Sequence, residues 1–175
     1  VTDAIRQHFI ITEGIGVELH PDDVTIPTLL RLKEAGVTKI SIGIQSFQKK
    51  YQTILGRRSI QISAMRDALK AVTFETVSMD FIFALPEQTF DDLRADIDTA
   101  FANGANHIAI YPFIDFTFTL STVKTMPKKQ KYRLLNAITT YCLDKGYVRT
   151  SIWTFSSEKG ARYSSMTRDH FLGFG

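Results

Sequence analysis

Residues 77–89 read VSMDFIFALPEQT and contain the most apolar strand that the sequence predicts, over residues 77–83. Apolar residues with aromatic side chains are typical of a buried strand. The chain then turns quickly over residues 85–89, which read LPEQT. Thr89 followed by Asp92 predicts a capping box that opens a helix over residues 90–102. The stretch is therefore a unit of strand, turn and helix.

The same unit repeats along the chain. The pattern predicts further helices over residues 26–35, 63–72 and 128–145, and further strands over residues 16–19, 39–44, 107–111 and 147–155. A turn-rich loop is expected over residues 156–168. Strands that alternate with helices pair in parallel through right-handed crossovers, which indicates either a doubly wound sheet or part of a (β/α) barrel.

Composition indicates one domain of 175 residues, with 44% hydrophobic content and a net charge of +3. The apolar runs are too short to span a membrane and no leader opens the chain, so we expect a soluble, cytoplasmic protein. The basic residues are densest between Lys124 and Arg133, which is typical of the exposed start of a helix, and we expect no nucleic-acid partner. The single cysteine, Cys142, excludes a disulfide framework and a cysteine-ligated metal site formed by this chain alone.

Polar side chains stand where the predicted strands end. In parallel α/β folds, ligands gather at these C-terminal ends. The residues at the five ends are Glu18 and His20, then Gln45 and Ser46, then Asp80, then Tyr111 to Asp115, and finally Trp153. The sequence therefore predicts a ligand site along one edge of the sheet.

Four of the polar side chains in and near these strand ends suit particular ligand groups. Glu18 and Asp80 interrupt apolar strands, so each carboxylate either meets a cation or a hydrogen-bond donor or lies at the exposed edge. The Gln45 amide can donate and accept at once, which suits ribose hydroxyls or a carboxylate, although a turn-stabilising role explains it equally well. Arg57 can grip a carboxylate with two parallel hydrogen bonds, or it can lie on the surface.

The histidines, the serines and one glycine pair form no motif that indicates a function. The histidines are too scattered for a metal triad, no nucleophile elbow accompanies the serines, and Gly14-Ile15-Gly16 precedes a strand instead of joining a strand to a helix. The sequence therefore gives no support for a hydrolase or a dinucleotide-binding fingerprint, and we assign no metal ligand and no catalytic residue.

Four segments in this order resemble one known family. They read VELHP at residues 17–21, GVTKISIGIQSF at 36–47, LGR at 55–57 and MDFIFALPEQT at 79–89. Together they resemble the oxygen-independent coproporphyrinogen III oxidase family of the radical S-adenosylmethionine superfamily, with its heme-chaperone relatives. The resemblance extends from about residue 16 to about residue 147.

The resemblance implies a partial, TIM-like (β/α) barrel of parallel strands that holds S-adenosylmethionine and a [4Fe–4S] cluster. By motif position, Glu18 contacts the amino-acid part of S-adenosylmethionine, and Arg57 is the natural partner of its carboxylate. Asp80 suits the ribose hydroxyls, Gln45 suits the carboxylate or the ribose, and Ile114 packs on the adenine.

The family's cluster motif, three cysteines spaced C-x-x-x-C-x-x-C, does not occur in this chain. We therefore expect an inactive fragment that lacks the N-terminal strands of the barrel, with the partial barrel over residues 1–155 and a C-terminal extension beginning over 156–175. The parent is expected to be an oxidoreductase acting on a tetrapyrrole. The alternatives are a heme-binding or heme-chaperone protein without turnover and a scaffold with no retained site. An open sheet edge also predicts association into dimers.

Overall fold

The computed structural model describes residues 2–12, 14–114, 125–157 and 173. Within these residues, most strands are followed by a helix along the chain. The strands are β1 Ile15–Leu19, β2 Val37–Gln45, β3 Thr76–Phe83, β4 His107–Pro112, β5 Val148–Arg149 and β6 Thr154–Ser156. The helices are α1 Thr2–His8, α2 Ile26–Glu34, α3 Lys49–Ile54, α4 Ile62–Ala71, α5 Phe90–Ala102 and α6 Lys128–Asp144, with a short 3-10 helix at Pro21–Asp23.

The strands of the described residues form one sheet in the order β1-β2-β3-β4-β6-β5. β1, β2, β3 and β4 are parallel neighbours in chain order. Parallel neighbours joined by helical crossovers are the construction of a (β/α) barrel. The predicted partial barrel of parallel strands is therefore confirmed for the first four strands.

The end of the sheet differs from the prediction of one strand over residues 147–155. The chain instead forms the short strands β5 and β6, and β6 runs antiparallel to both β4 and β5. The turn between them is stabilised by the Thr150 N–H, which donates to the Thr154 carbonyl at 2.9 Å, and by the Arg149 guanidinium, which donates to the carbonyls of Ser151 and Ile152. A tight turn of this kind can only return the chain antiparallel, because a parallel return needs a long crossover.

Helices cover one face of the sheet. The strands turn large apolar side chains such as Ile42, Met79, Phe81 and Ile108 toward this face, where all four are almost fully buried. Buried residues of α2, α4, α5 and α6 belong to the same hydrophobic core. Because side chains alternate along a strand, the polar residues between these apolar ones lie on the opposite face.

Local signals set several helix boundaries. The predicted capping box is present, since the Thr89 hydroxyl accepts from the Asp92 N–H and the Asp92 carboxylate accepts from the Thr89 N–H. Gly36 follows α2 with a φ of 81°, a left-handed conformation that glycine adopts readily after a helix. The helices α1 and α3 were not predicted, because they have seven and six residues and too few turns to show a clear period.

The structure does not test the predictions about a dimer and a C-terminal extension. β1 lies at one edge of the sheet, but no contact tests the expected dimer. Most of the expected extension over 156–175, and most of the expected loop over 156–168, lies outside the described residues. Among the helices that the structure describes, none is both long and apolar enough to cross a membrane.

The capping box gives a first prediction. Replacing Thr89 with alanine removes the hydroxyl that accepts from the Asp92 N–H, and we expect a loss of about 1 kcal/mol in the free energy of unfolding. Thr89→Ser keeps the hydroxyl and should retain most of that free energy. Urea unfolding of the three proteins measures the difference, and equal midpoints for alanine and serine would contradict the capping role.

Candidate functional site

One row of polar residues crosses the sheet on the face away from the helices. Neighbouring strands pair Glu18 with Ser41, Ser41 with Ser78, Ser78 with His107, and His107 with Ser156. Residues paired in this way share a face of the sheet. The face therefore carries a continuous polar strip, of which only Glu18 is well exposed.

Asp80 lies one pleat further along the same face, and hydroxyl groups hold it. The Ser41 hydroxyl donates to Oδ2 at 2.7 Å, and the Ser78 hydroxyl donates to Oδ1 at 2.9 Å. The sequence left open whether a cation or a donor meets this carboxylate, and in the structure two serine hydroxyls do. A carboxylate offers about four acceptor positions, so two bonds leave acceptor capacity for a ligand.

Three ionisable groups influence one another at this place. Burial raises the pKa of Asp80, the bonds from Ser41 and Ser78 oppose that rise, and the negative charge of Glu18 adds to it. Burial also raises the pKa of Tyr111, and the charges of Asp80 and Glu18 raise it further. The three side chains therefore lie within electrostatic reach, and the pair of carboxylates favours a cationic group nearby.

A second group of side chains meets at Gly43, which is the register partner of Asp80. The Arg57 guanidinium donates to the Gly43 carbonyl at 3.1 Å. The Gln45 amide fills the space beside the same glycine, because a Cβ on Gly43 would lie 3.1 Å from the amide nitrogen. Gln45, Arg57 and Asp80 are thus brought together around one residue of β2.

Gln45 and Arg57 both keep polar groups for a ligand. Arg57 uses one of its five N–H groups on the Gly43 carbonyl. Within the described ranges the structure gives the Gln45 side-chain amide no hydrogen bond, although the residue is half buried. An amide and a guanidinium that are close together and incompletely paired can bind a carboxylate or hydroxyls.

Ile114 lies beyond the end of β4 and is 56% exposed. The neighbouring Phe113 N–H donates to the Phe83 carbonyl at 2.7 Å, so β4 stays beside β3 up to this point. Trp153 is not at the end of a parallel strand as predicted, but in the β5–β6 turn, where its ring meets Tyr111 edge to face at 5.8 Å. Ile114 therefore shares the sheet edge with the other candidates and remains accessible.

The residues that hold this site in place were not predicted from the sequence. Ser41 and Ser78 could have been found, because Ser78 stands two positions before Asp80 on one strand and so shares its face. Gln88 is buried, and its side chain accepts from the Leu85 N–H and donates to the Ile82 carbonyl, which fixes the turn after β3. No periodic signal distinguishes such a glutamine from an exposed one.

His107 is buried against the same network. Its Nδ1 lies 3.0 Å from the Ser78 hydroxyl, and burial lowers the pKa of His107 to about 4. The single Ser78 proton is used toward Asp80, so His107 is the donor to Ser78 when the carboxyl is ionised. His107 is therefore a neutral imidazole that carries its proton on Nδ1.

No group of histidine, cysteine and carboxylate side chains in the described part of the chain could hold a metal ion. Cys142 is buried in α6, and burial raises the pKa of its thiol to about 12. Metal ligation needs the thiolate, which this environment disfavours. The described residues fit the polar groups of S-adenosylmethionine, but they do not fit a [4Fe–4S] cluster.

Similar sequences are known for part of the chain. The heme chaperone HemW of Bacillus subtilis is 35% identical over 100 residues, which are 56% of this chain and 26% of that protein. The oxygen-independent coproporphyrinogen III oxidase of Synechocystis is 27% identical over 160 residues, or 85% of this chain and 33% of that protein. The chain thus spans about a quarter to a third of these relatives. No protein-family profile matches it.

The structure is similar to that of coproporphyrinogen III oxidase (HemN) from Escherichia coli, which is described as a radical SAM enzyme. The TM-score is 0.77 at 18% identity, over 95% of this chain and 40% of the other. This similarity confirms the fold class as part of a (β/α) barrel of that type. The sequence matches confirm the resemblance to the coproporphyrinogen III oxidases and the heme chaperones.

Removing a hydroxyl beside Asp80 tests the network. In Ser41→Ala the ionised carboxylate loses one of its two donors, so we expect the pKa of Asp80 to rise further. The ¹³C shift of the carboxyl carbon, followed with pH, measures it. Ser63→Ala, on an exposed position of α4, is the control. An unchanged titration in Ser41→Ala would show that the bond to Asp80 is absent in solution.

His107 makes stability depend on pH. Burial lowers the pKa of His107 from 6.5 to about 4. The neutral imidazole therefore makes its full contribution to the free energy of unfolding above pH 6.5. This contribution is lost as the pH falls toward 4, because His107 is protonated in the unfolded chain while it is still neutral in the folded protein. The loss is roughly 3 kcal/mol at most.

His107→Asn keeps a side-chain N–H for Ser78 and does not titrate. We expect the stability advantage of the wild type over this variant, measured by urea unfolding, to shrink between pH 7 and pH 4.5. Asp96, whose pKa burial raises to about 6, changes stability in the opposite direction, but it does so in both proteins. A pH-independent difference would contradict the neutral buried imidazole.

Proposed function

We propose that this chain forms the S-adenosylmethionine-binding part of a longer radical S-adenosylmethionine protein that acts on a tetrapyrrole. One observation carries the proposal. Gln45, Arg57 and Asp80 meet around Gly43 at the C-terminal edge of the sheet, with Glu18 within electrostatic reach of Asp80. Both edge position and side-chain chemistry suit a ligand that carries charges of both signs.

The charges of the site match those of S-adenosylmethionine. The cofactor carries an ammonium, a sulfonium and a carboxylate, and the two acids Glu18 and Asp80 favour cationic groups because they repel each other. Arg57 is the nearby cation that the carboxylate requires, and its planar guanidinium suits bidentate pairing. Complementary charge therefore supports the binding of this cofactor over a purely anionic ligand.

Each candidate residue has one proposed task. Glu18 binds the amino group, Arg57 and Gln45 hold the carboxylate, Asp80 accepts from the ribose hydroxyls, and Ile114 packs on the adenine. Ser41 and Ser78 keep the Asp80 carboxylate oriented. In radical S-adenosylmethionine chemistry the bound cofactor supplies a 5′-deoxyadenosyl radical, so the work of these residues is binding, orientation and the exclusion of water.

A [4Fe–4S] cluster would have to be held by residues outside the described part of this chain. The described residues present no ligand set, and the thiol of Cys142 is buried and neutral. We therefore assign the chain no step of electron transfer, and its contribution is confined to the cofactor and substrate side of the barrel.

A heme chaperone is a second candidate function. It is favoured by the match to the HemW heme chaperone of Bacillus subtilis at 35% identity, whereas the reported coproporphyrinogen III oxidase match is 27% identical. In this case the protein binds heme and hands it on without turning it over. Both candidates involve a tetrapyrrole, and they differ in what happens to it.

The cofactor assignment is tested with the full-length protein. Arg57→Ala should weaken S-adenosylmethionine binding roughly ten- to a hundredfold, because a charge-assisted pair to the carboxylate is lost. Arg58→Ala is the matched control, since Arg58 is the exposed neighbour of Arg57. Calorimetric titration gives the dissociation constants. A wild-type protein that does not bind S-adenosylmethionine would overturn the proposal.

Two further measurements separate the candidates. Release of 5′-deoxyadenosine from the cluster-reconstituted protein, with dithionite and coproporphyrinogen III, supports the oxidase. Titration with heme, followed by a shift of the Soret band and without consumption of the tetrapyrrole, supports the chaperone. A protein that shows neither would leave only the cofactor-binding part of the proposal in place.

A further inference from the structure

Gln45 adopts a backbone conformation that is unfavourable for a residue with a side chain. Its φ is 67°, and the Ser46 N–H donates back to the Ile44 carbonyl at 2.9 Å, which closes a three-residue turn. A left-handed backbone is unfavourable for an L-residue other than glycine, because its Cβ approaches the following carbonyl oxygen. The surrounding structure must therefore hold the turn that presents the Gln45 amide.

Asp96 of α5 supplies the groups that hold this turn. Its Oδ2 accepts from the Ser46 hydroxyl at 2.7 Å, and its Oδ1 accepts from the Phe47 N–H at 2.9 Å. Asp96 is 0% exposed, whereas the other acids of α5 are exposed (Asp91) or half-buried (Asp92 and Asp98). Both carboxylate oxygens therefore act on the two residues that directly follow Gln45.

The same contacts extend to Arg57. The Gln52 amide donates to the Ser46 carbonyl at 2.9 Å, and the Arg57 N–H donates to the Gln52 carbonyl at 2.8 Å. Ser46 is thus tied on one side to Asp96 and on the other to the backbone that carries Arg57. A change at Asp96 reaches both ligand-binding side chains through these bonds.

Keeping a carboxylate at this position is unfavourable in itself. Burial raises the pKa of Asp96 to about 6, even though the bonds from Ser46 and Phe47 lower it, and the charge of Asp92 adds to the rise. Asp92 is more accessible and makes the surface contacts of α5 to α3, with the Lys50 ammonium at 2.9 Å and the Tyr51 hydroxyl at 2.8 Å. Asp96 therefore acts directly on the turn after β2, while Asp92 makes the direct contacts with Lys50 and Tyr51 of α3.

We propose that Asp96 is a positioning residue for the cofactor site, which sets the Gln45 amide and the backbone before Arg57 through Ser46 and Phe47 without touching the ligand. The inference rests on the proposed binding of S-adenosylmethionine. Asp96 thus joins the residues of the cofactor site, although it belongs to helix α5 and not to the sheet edge. The strained turn at Gln45 then has a role in ligand binding.

Asp96→Asn in the full-length protein tests the inference. The amide is nearly the same size but can accept with only one of its two terminal atoms, so the turn loses the bond from either Ser46 or Phe47. We expect S-adenosylmethionine to bind roughly tenfold more weakly, which corresponds to one lost buried hydrogen bond. The KM for S-adenosylmethionine should rise with it, while kcat stays near the wild-type value, because Asp96 lies away from the reacting atoms.

Asp98→Asn is the matched control. Asp98 lies two residues further along α5 and accepts from the Tyr141 hydroxyl of α6 at 2.5 Å, so the control makes the same change from carboxylate to amide at a hydrogen-bonded position away from the turn. It should leave the dissociation constant unchanged. Hydrogen exchange of the amides of residues 46–48 should accelerate in Asp96→Asn and not in Asp98→Asn, which checks the turn without any ligand.

The outcomes are distinct. If the wild type does not bind S-adenosylmethionine, the proposed function fails and the positioning role in binding fails with it, whatever the exchange rates show. If the wild type binds and Asp96→Asn binds equally well, or if Asp98→Asn weakens binding by the same factor, only the positioning role is overturned. Weaker binding and faster exchange confined to Asp96→Asn would support it.

Discussion

The pairing between β2 and β3 is the constraint on which the site depends. Gly43 faces Asp80 in this register, and the next matched pair is Gln45 with Phe81, so β2 carries one extra residue at its end. Such a bulge bends a strand and redirects the side chain that follows it. The bulge and the positive φ of Gln45 thus occur at the same point of β2, where the Gln45 amide lies beside Gly43.

The polar face of the sheet shows how carboxylate and hydroxyl groups can be buried together. Serine hydroxyls meet both oxygens of Asp80, and His107 completes the chain as a neutral donor. Burying any one of these groups alone would cost several times what a hydrogen bond returns. Asp80, Ser41, Ser78 and His107 therefore form a cooperative network, in which each buried polar group needs its partner.

Much of the fold follows from local pattern, and the rest depends on contacts distant in sequence. Alternation and periodicity predicted β1 to β4 and the four longer helices, and Thr89 with Asp92 predicted the start of α5. The β5–β6 hairpin was missed because residues 147–155 read as one run of strand-forming residues. Glu18, Gln45 and Asp80 could be chosen from the strands and their ends, and Arg57 from the LGR segment. Asp96 could not, because only the tertiary fold distinguishes it from the other, more accessible acids of α5.

Because the sheet ends in an antiparallel hairpin, its two edge strands differ in length. On that side the outermost strand, Val148–Arg149, has two residues and offers too short a ladder for another parallel strand. On the other side β1 presents five residues of backbone. Among the described strands β1 therefore presents the longer edge, so the backbone groups with which an additional strand could pair lie next to Glu18.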